Sequence, residues 1–260
     1  MAQSDEFMPI GCHECRDASL LGIDFSMAFQ PIVDIRQKSV FGYEALVRGP
    51  NNEGADSVLS QLNDSNRYRF DQAIRVKAID LAKQLNLDSM LSINFLPNAV
   101  YRPETCIRAT LEAAAERSFP TERIMFEVTE GEKISDHEHL RRIFVEYKKH
   151  RFTTAIDDFG AGYSGLNLLA DWQPDIIKLD MALTRNIHID RVRRALVLGI
   201  MSVCQELSIR VIAEGIECLE ECWVLAEAGV ELFQGYFFAR PGFESLPEVP
   251  QVVWNQLERS

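Results

Sequence analysis

Polar side chains stand at corresponding places in a series of apolar runs along the chain. Adjacent Asp157 and Asp158 close the run "TTAIDDF" and lead into "GAGYSG", which holds three glycines in six residues. Glu44 falls in "VFGYEALVR", Asn94 in "LSINF", Glu127 in "RIMFEVT", Lys178 in "IIKLD", Glu214 in "RVIAEG" and Gln234 in "LFQGYFF". Strands buried on both faces read as near-continuous apolar runs, so a polar residue recurring in the C-terminal half of each is more than a set of strand-end caps. Brought together, Glu44, Glu127, Asp157, Asp158 and Glu214 would put five carboxylates in one place. Without counter-charge, burying them is prohibitively costly. Oxygen-rich clusters favour hard cations such as Mg²⁺ or Mn²⁺. Asp157 and Asp158 can each serve a different ion with one of them bridging, a two-metal arrangement suited to hydrolysis at phosphorus.

Period-two alternation adds neighbours to this set: Glu44, Leu46 and Arg48 share one face, Glu127 and Thr129 another, Lys178 and Asp180 a third. Lys178 is the one cation among the strand-end residues. Taken alone it reads as a salt bridge to Asp180 or another carboxylate; beside two metals it can hold or polarise an attacking water. Arg48 could be an ordinary surface pair, but a planar guanidinium at this position suits phosphate.

These residues need strands that deliver them to one mouth. Short β-like runs, beginning with "MAFQPIV", alternate with longer helical stretches. In "RYRFDQAIRVKAIDLAKQL" the apolar residues Phe70, Ile74, Ala78, Leu81 and Leu85 recur at helical spacing. "DHEHLRRIFVEYKKH" opens on Asp136 as a cap and closes on basic residues, matching the helix dipole. Helix-separated strands indicate a mainly parallel sheet. Only "DIRQKS" separates the first two strands, which suits a hairpin and makes one strand antiparallel. About eight strands with helices outside predict an α/β fold closed as a modified TIM-type barrel, whose active site lies at the C-terminal strand ends; an open doubly wound sheet is the alternative.

The totals fit that size. The chain has 260 residues, 47% of them hydrophobic, and a net charge of −12. That charge argues against a nucleic-acid polymer bound through its phosphates, while a metal-filled carboxylate cluster can still receive one anionic substrate. No run approaches a membrane span, and no signal-like segment opens the chain, so a cytoplasmic protein without membrane insertion is expected. Residues 1–24 read as a short N-terminal extension and 25–260 as one domain. Cys12 and Cys15 in "CHEC" are too few for a zinc site of their own without a second pair; reduced thiols are the plainer reading.

Eight motifs, "FQPIV", "YEALVR", "INF", "FEVTE", "DDFGAGYSGL", "IKLD", "AEGIE" and "FQGYFFARP", stand in the order of the EAL-domain family. From about residue 25 to 245 the chain resembles these cyclic di-GMP phosphodiesterases of bacterial signalling. The resemblance implies metal-dependent hydrolysis of cyclic di-GMP to linear 5′-pGpG, with two Mg²⁺ or Mn²⁺ ions per site. By that resemblance Glu44, Asn94, Glu127 and Asp157 hold the first metal; Asp157 bridges to the second, held also by Asp158 and by Glu214 directly or through water. Lys178 contacts the nucleophilic water, and Glu214 is a candidate to orient or deprotonate it. Gln30, Leu46, Arg48, Glu217 and Gln234 resemble substrate-contacting or site-ordering positions, with Asp180 beside them, and Glu130 the acid that anchors the loop after Asp158. A homodimer contact at that loop and a regulatory protein are further partners to consider. Two other functions compete: a cyclic di-GMP receptor or scaffold without turnover, and a barrel enzyme using metals and a lysine base for carbanion chemistry. The intact carboxylate and lysine set argues against the first, and the Asp pair with Arg48 against the second.

Overall fold

The computed structural model describes residues 21–100, 102–129, 137–162 and 165–258. The expectations for Cys12, Cys15, Glu130, Asp136 and Ser164 lie outside the described residues. The chain opens with strands β1 (Ser26–Asp34) and β2 (Ser39–Arg48), then helices α1 (Ala55–Leu59) and α2 (Arg67–Gln84) and strand β3 (Met90–Asn94). Helices α3 (Pro103–Cys106) and α4 (Arg108–Glu116) precede β4 (Ile124–Thr129), α5 (His137–Lys149) and β5 (Thr153–Phe159). There follow α6 (Gly165–Asp171), β6 (Ile176–Leu179), α7 (Met181–Thr184), α8 (Arg191–Glu206) and β7 (Arg210–Ala213). The chain closes with α9 (Leu219–Glu227), β8 (Leu232–Gln234), β9 (Gly242–Phe243) and α10 (Gln251–Leu257).

Strands β2 to β8 pair in sequence order, every pair parallel. β1 closes the ring between β8 and β2, antiparallel to both, and the two-residue β9 pairs with Ala28 and Phe29 along the edge that β8 shares. The result is the expected eight-stranded barrel with one reversed strand and helices outside, not an open sheet. The helical periodicity holds: Phe70, Ile74, Ala78 and Leu81 of α2 are buried, and Leu85 packs against the core just after it. In α5, Leu140, Ile143, Phe144 and Tyr147 form the buried stripe, and Lys148 and Lys149 sit in its last turn.

Two layers inside the barrel set the position of the site. A floor of buried apolar side chains, Ile32, Met125, Ala155, Ile176, Ile212 and Leu232, packs as a cluster separate from the larger core under the helices. Two residues further along the chain come Glu127 on β4, Asp157 on β5, Lys178 on β6, Gln234 on β8 and Glu214 just past the end of β7. Because side chains alternate with period two, each of these stands on the same inward face, one layer above the floor. The final strand is shorter than its apolar run suggests. A Cβ at Gly235 would lie 2.1 Å from Ile216 O and 2.3 Å from Ile216 N, so the chain passes that backbone too closely for any side chain. There Ile216 N donates to Gln234 O and Phe237 N to Ile216 O, and the chain turns out of the sheet.

The end of β3 is fixed from behind by charges that helical periodicity alone does not reveal. Arg75 is fully buried in α2, with Nη2 2.7 Å from Asp71 Oδ2. Its Nη1 donates to Tyr147 Oη at 2.7 Å, and its guanidinium carbon lies 5.0 Å from the centre of the Phe126 ring. Asp71 Oδ1 in turn accepts from Leu96 N at 2.8 Å, two residues beyond Asn94. Removing one member strands the others without a partner in a dry interior. Asp71→Ala is therefore expected to cost about 3–5 kcal/mol, read as a lower urea midpoint at unchanged slope; an unchanged midpoint would show that the pair is dispensable.

Candidate active site

Lys178 Nζ sits at the centre of the upper layer. It lies 2.8 Å from Glu214 Oε1, 2.9 Å from Glu127 Oε2, 3.0 Å from Asp157 Oδ1 and 3.4 Å from Glu44 Oε2. Three strands, β2, β4 and β5, and the residue just past β7 thus aim carboxylates at one ammonium, and Asp180 is not among these partners. Instead Asp180 caps α7, its Oδ1 accepting from Ala182 N at 2.8 Å.

An amide chain lines the other side of Glu44. Asn94 Nδ2 donates to Glu44 Oε1 at 2.9 Å, and Gln234 Nε2 donates to Glu44 Oε2 at 2.7 Å and to Gln30 Oε1 at 3.3 Å. Gln30 is anchored through Nε2 to the carbonyl of Ala239. These contacts bring Gln30, Glu44, Asn94 and Gln234 together.

Asp158 reaches the site by a device the pattern did not disclose. Neighbours on a regular strand point to opposite faces, yet Asp157, Asp158 and Glu214 each present a carboxylate oxygen within 4.8 Å of the others. The β5–β6 register shifts between Ile156 and Phe159, and Asp158 takes φ +55°. This bulge turns the second aspartate back toward the mouth, and aspartate is among the residues that tolerate the left-handed region. Beyond it, Gly160 at φ +98° lets the chain pass against Leu183, where a Cβ would come within 2.3 Å of Cδ1.

The electrostatics record the crowding. Burial pushes the Glu127 carboxyl up to about 8, with Glu44 and Asp157 adding to the shift and Lys178 opposing it. Burial likewise raises Glu214 well above the carboxylate range, and burial, Asp157 and Asp180 lift Asp158 to about 6. For Lys178 burial works against the charge, but Asp157, Glu127, Glu214 and Glu44 together hold the ammonium well above its ordinary range. Fully ionised, five carboxylates against one ammonium leave four formal negative charges, a field that the protons held by the raised carboxyls relieve in part and divalent cations can relieve in full. The donors fit hard divalent ions: Glu44, Glu127 and Asp157 form one group of oxygens within 4.8 Å, Asp157, Asp158 and Glu214 a second, and Asp157 belongs to both.

The remaining expected residues divide between two neighbouring cavities. Gln30, Glu44, Asp158, Asp180, Glu214, Glu217 and Gln234 line a cleft of about 280 Å³ over the carboxylates. Leu46 and Arg48 line a separate, more apolar cavity of about 270 Å³, shared with Asn94 and Thr129; Arg48 Nη1 donates to Val47 O. Glu217 stands at the rim, half exposed, with Oε1 accepting from Arg185 Nη2 at 2.8 Å. Four residues beyond the expected set also matter here. Thr184 Oγ1 donates to Glu214 O at 2.6 Å and fixes that backbone. Arg185 and Tyr236 line the cleft, and the Arg240 guanidinium lies 4.2 Å from the Tyr236 ring centre. Tyr236 was within reach of sequence reading, as an aromatic two residues past Gln234; Arg185, on the connection after α7, carried no signal.

The EAL domain matches residues 14–241. The chain belongs to this family. Among known EAL relatives, the blue light- and temperature-regulated antirepressor BluF of Escherichia coli (strain K12) is 33% identical over 235 residues, which are 90% of this chain and 58% of BluF. The cyclic di-GMP phosphodiesterase PdeR of the same organism is 36% identical over 138 residues, 53% of this chain and 21% of PdeR. The chain thus spans 58% or less of the length of these relatives. Among solved EAL structures, a standalone versatile EAL protein from Vibrio cholerae O395 in its c-di-GMP bound form is 59% identical, with a TM-score of 0.86. That match covers 89% of this chain and 98% of the Vibrio chain. Among the described residues no helix is long and apolar enough to cross a membrane.

Proposed function

We propose that the chain hydrolyses cyclic di-GMP to linear 5′-pGpG using two divalent cations, Mg²⁺ or Mn²⁺. The observation that carries this reading is the pair of carboxylate groups joined through Asp157 around Lys178. Two divalent ions would neutralise the four surplus negative charges of the five carboxylates and Lys178. Glu44, Asn94, Glu127 and Asp157 would hold one ion, and Asp157, Asp158 and Glu214 the other. When bound, such ions supply Lewis acidity and stabilise charge on the transferring phosphoryl group.

The chain's own groups do the rest. Lys178, held rigidly by its carboxylates, donates hydrogen bonds to the attacking water and places it in line with phosphorus. Glu214, on a backbone pinned by Thr184, orients that water and accepts its proton. Because the product keeps a 5′-phosphate, water oxygen bonds to phosphorus while the P–O3′ bond breaks, and the 3′ oxygen leaves as a hydroxyl by taking up the proton that Glu214 received from the water. Arg48 serves a phosphate, and Tyr236, half exposed at the rim, offers a flat face for a purine. Gln30 and Gln234 order Glu44 from the substrate side.

The likeness to an antirepressor favours one second reading, a cyclic di-GMP receptor that acts without turnover. Incubating the purified chain with cyclic di-GMP and, separately, with a panel of 2-hydroxy acids, each with and without chelator, distinguishes these functions. The expected result is conversion of the cyclic dinucleotide alone, stopped by chelator; binding without conversion would favour the receptor, and turnover of a hydroxy acid would overturn the phosphodiester reading.

Two finer assignments accompany this function. Glu130 follows β4 directly and is proposed to anchor the loop after Asp158. Glu130→Ala should leave thermal stability nearly unchanged and raise the Mg²⁺ concentration needed for half-maximal activity; a titration superimposable on wild type would give the loop another anchor. A homodimer is proposed through the face beside that loop, where Leu166, Leu196 and Val203 are exposed around Gly199. Sedimentation over a range of concentrations tests it, a monomer throughout counting against the contact.

A further inference from the structure

Outside the carboxylate set, a second group of donors meets beside the rim. A ring nitrogen of His188, the Cys218 thiol and a carboxylate oxygen of Glu221 lie within 4.8 Å of one another. His188 comes from the connection between α7 and α8, while Cys218 is the cap residue of α9 and Glu221 lies in its first turn. Glu221 is buried and doubly tethered: Oε1 accepts from Asn186 N at 2.7 Å and Oε2 from Glu217 N at 3.0 Å. Each carboxylate oxygen has a second lone pair left for a ligand. His188 Nδ1 is shielded from solvent and has no hydrogen-bond partner among the described residues. A buried polar atom without a partner is uncommon, and a bound ion is one of the things that explains it.

We propose that His188, Cys218 and Glu221 form a metal site for a borderline-soft divalent ion of the Zn²⁺ class. The donor chemistry sets this site apart from the active site. Imidazole nitrogen, thiolate sulfur and one carboxylate suit Zn²⁺, whereas the all-oxygen and amide set around Lys178 suits Mg²⁺ or Mn²⁺. Glu220, beside Glu221 in the first turn of α9, is available as a fourth donor. The ion displaces the thiol proton as the Cys218 sulfur bonds to it. It ties residues 185–188 to 217–221, the segments that carry the Arg185–Glu217 ion pair at the mouth, and so braces that rim. The assignment is independent of the nucleotide reading, since it rests on a different set of side chains.

Cobalt(II) absorption tests it. A thiolate bound to Co²⁺ gives a near-ultraviolet charge-transfer band, which oxygen donors around Lys178 cannot produce. The other close thiol pair, Cys12 and Cys15, flanks a histidine, so the full chain carrying Cys12→Ser and Cys15→Ser is the parent protein. Titrated with Co²⁺, the parent should develop the band, and adding Cys218→Ser should abolish it with the metal-free fold intact by circular dichroism. His188→Gln, a second variant in case the serine variant fails to fold, should weaken Co²⁺ binding at this site by about 100-fold or more, beyond what loss of a merely orienting group typically costs. Absence of the band in the parent, its survival after Cys218→Ser, or unchanged Co²⁺ affinity in His188→Gln would each overturn the proposal.

Discussion

Asp157→Asn is expected to abolish hydrolysis of cyclic di-GMP while leaving the barrel folded. Asp157 is the only residue common to both carboxylate groups, so losing its charge weakens both proposed ions at once. Changes to groups that merely orient a ligand already cost roughly 10–100-fold, so the fall in kcat/KM should exceed about 100-fold. The fold should survive, because Asn keeps the volume and the β5 backbone, and Ala155 and Ile156 beneath it stay packed. Circular dichroism and a thermal melt in chelator check that part. Substituting Ca²⁺ for Mg²⁺ should mimic the loss in the wild-type chain, since its longer, looser coordination spoils the spacing between the two groups. Full activity of Asp157→Asn, or robust turnover in chelator, would contradict a two-ion site.

The second large effect belongs to Lys178. Lys178→Ala should lower kcat by about 100-fold or more, the scale of a lost proton-transfer or water-positioning group, with much less change in KM. That split is the mark of an interaction made mainly in the transition state. The structure adds a second readout, because Lys178 is also the counter-ion to Glu44, Glu127, Asp157 and Glu214. In chelator the variant should melt well below wild type, as breaking a buried ion pair costs about 3–5 kcal/mol. Added Mg²⁺ should recover much of the difference by supplying the missing positive charge. A pure rise in KM at unchanged kcat would make Lys178 an ordinary anion contact.

The residues easiest to read from sequence were those governed by a single period. Glu44, Asn94, Glu127, Asp157, Lys178, Glu214 and Gln234 each interrupt an apolar strand, and the structure brings them together in one layer above the apolar floor. Asp158 was legible as chemistry but not as geometry, because its inward turn depends on a bulge and a left-handed residue that alternation cannot express. Leu46 and Arg48 share the face of Glu44, yet β2 runs on far enough that they line the neighbouring cavity. The Asp71–Arg75–Tyr147 network was hidden for another reason. A charged pair at i and i+4 on an amphipathic helix reads as solvated until the packing around it is known. The His188, Cys218 and Glu221 group likewise joins two segments about 30 residues apart, a proximity that only the closed barrel creates.

The most direct measurement is chromatography of cyclic di-GMP after incubation with the purified chain and Mg²⁺, repeated in chelator. Loss of the cyclic dinucleotide with matching appearance of linear 5′-pGpG is expected, and no conversion in chelator. Intact cyclic di-GMP after incubation of folded protein with Mg²⁺ or Mn²⁺, or equal conversion in chelator, would contradict it.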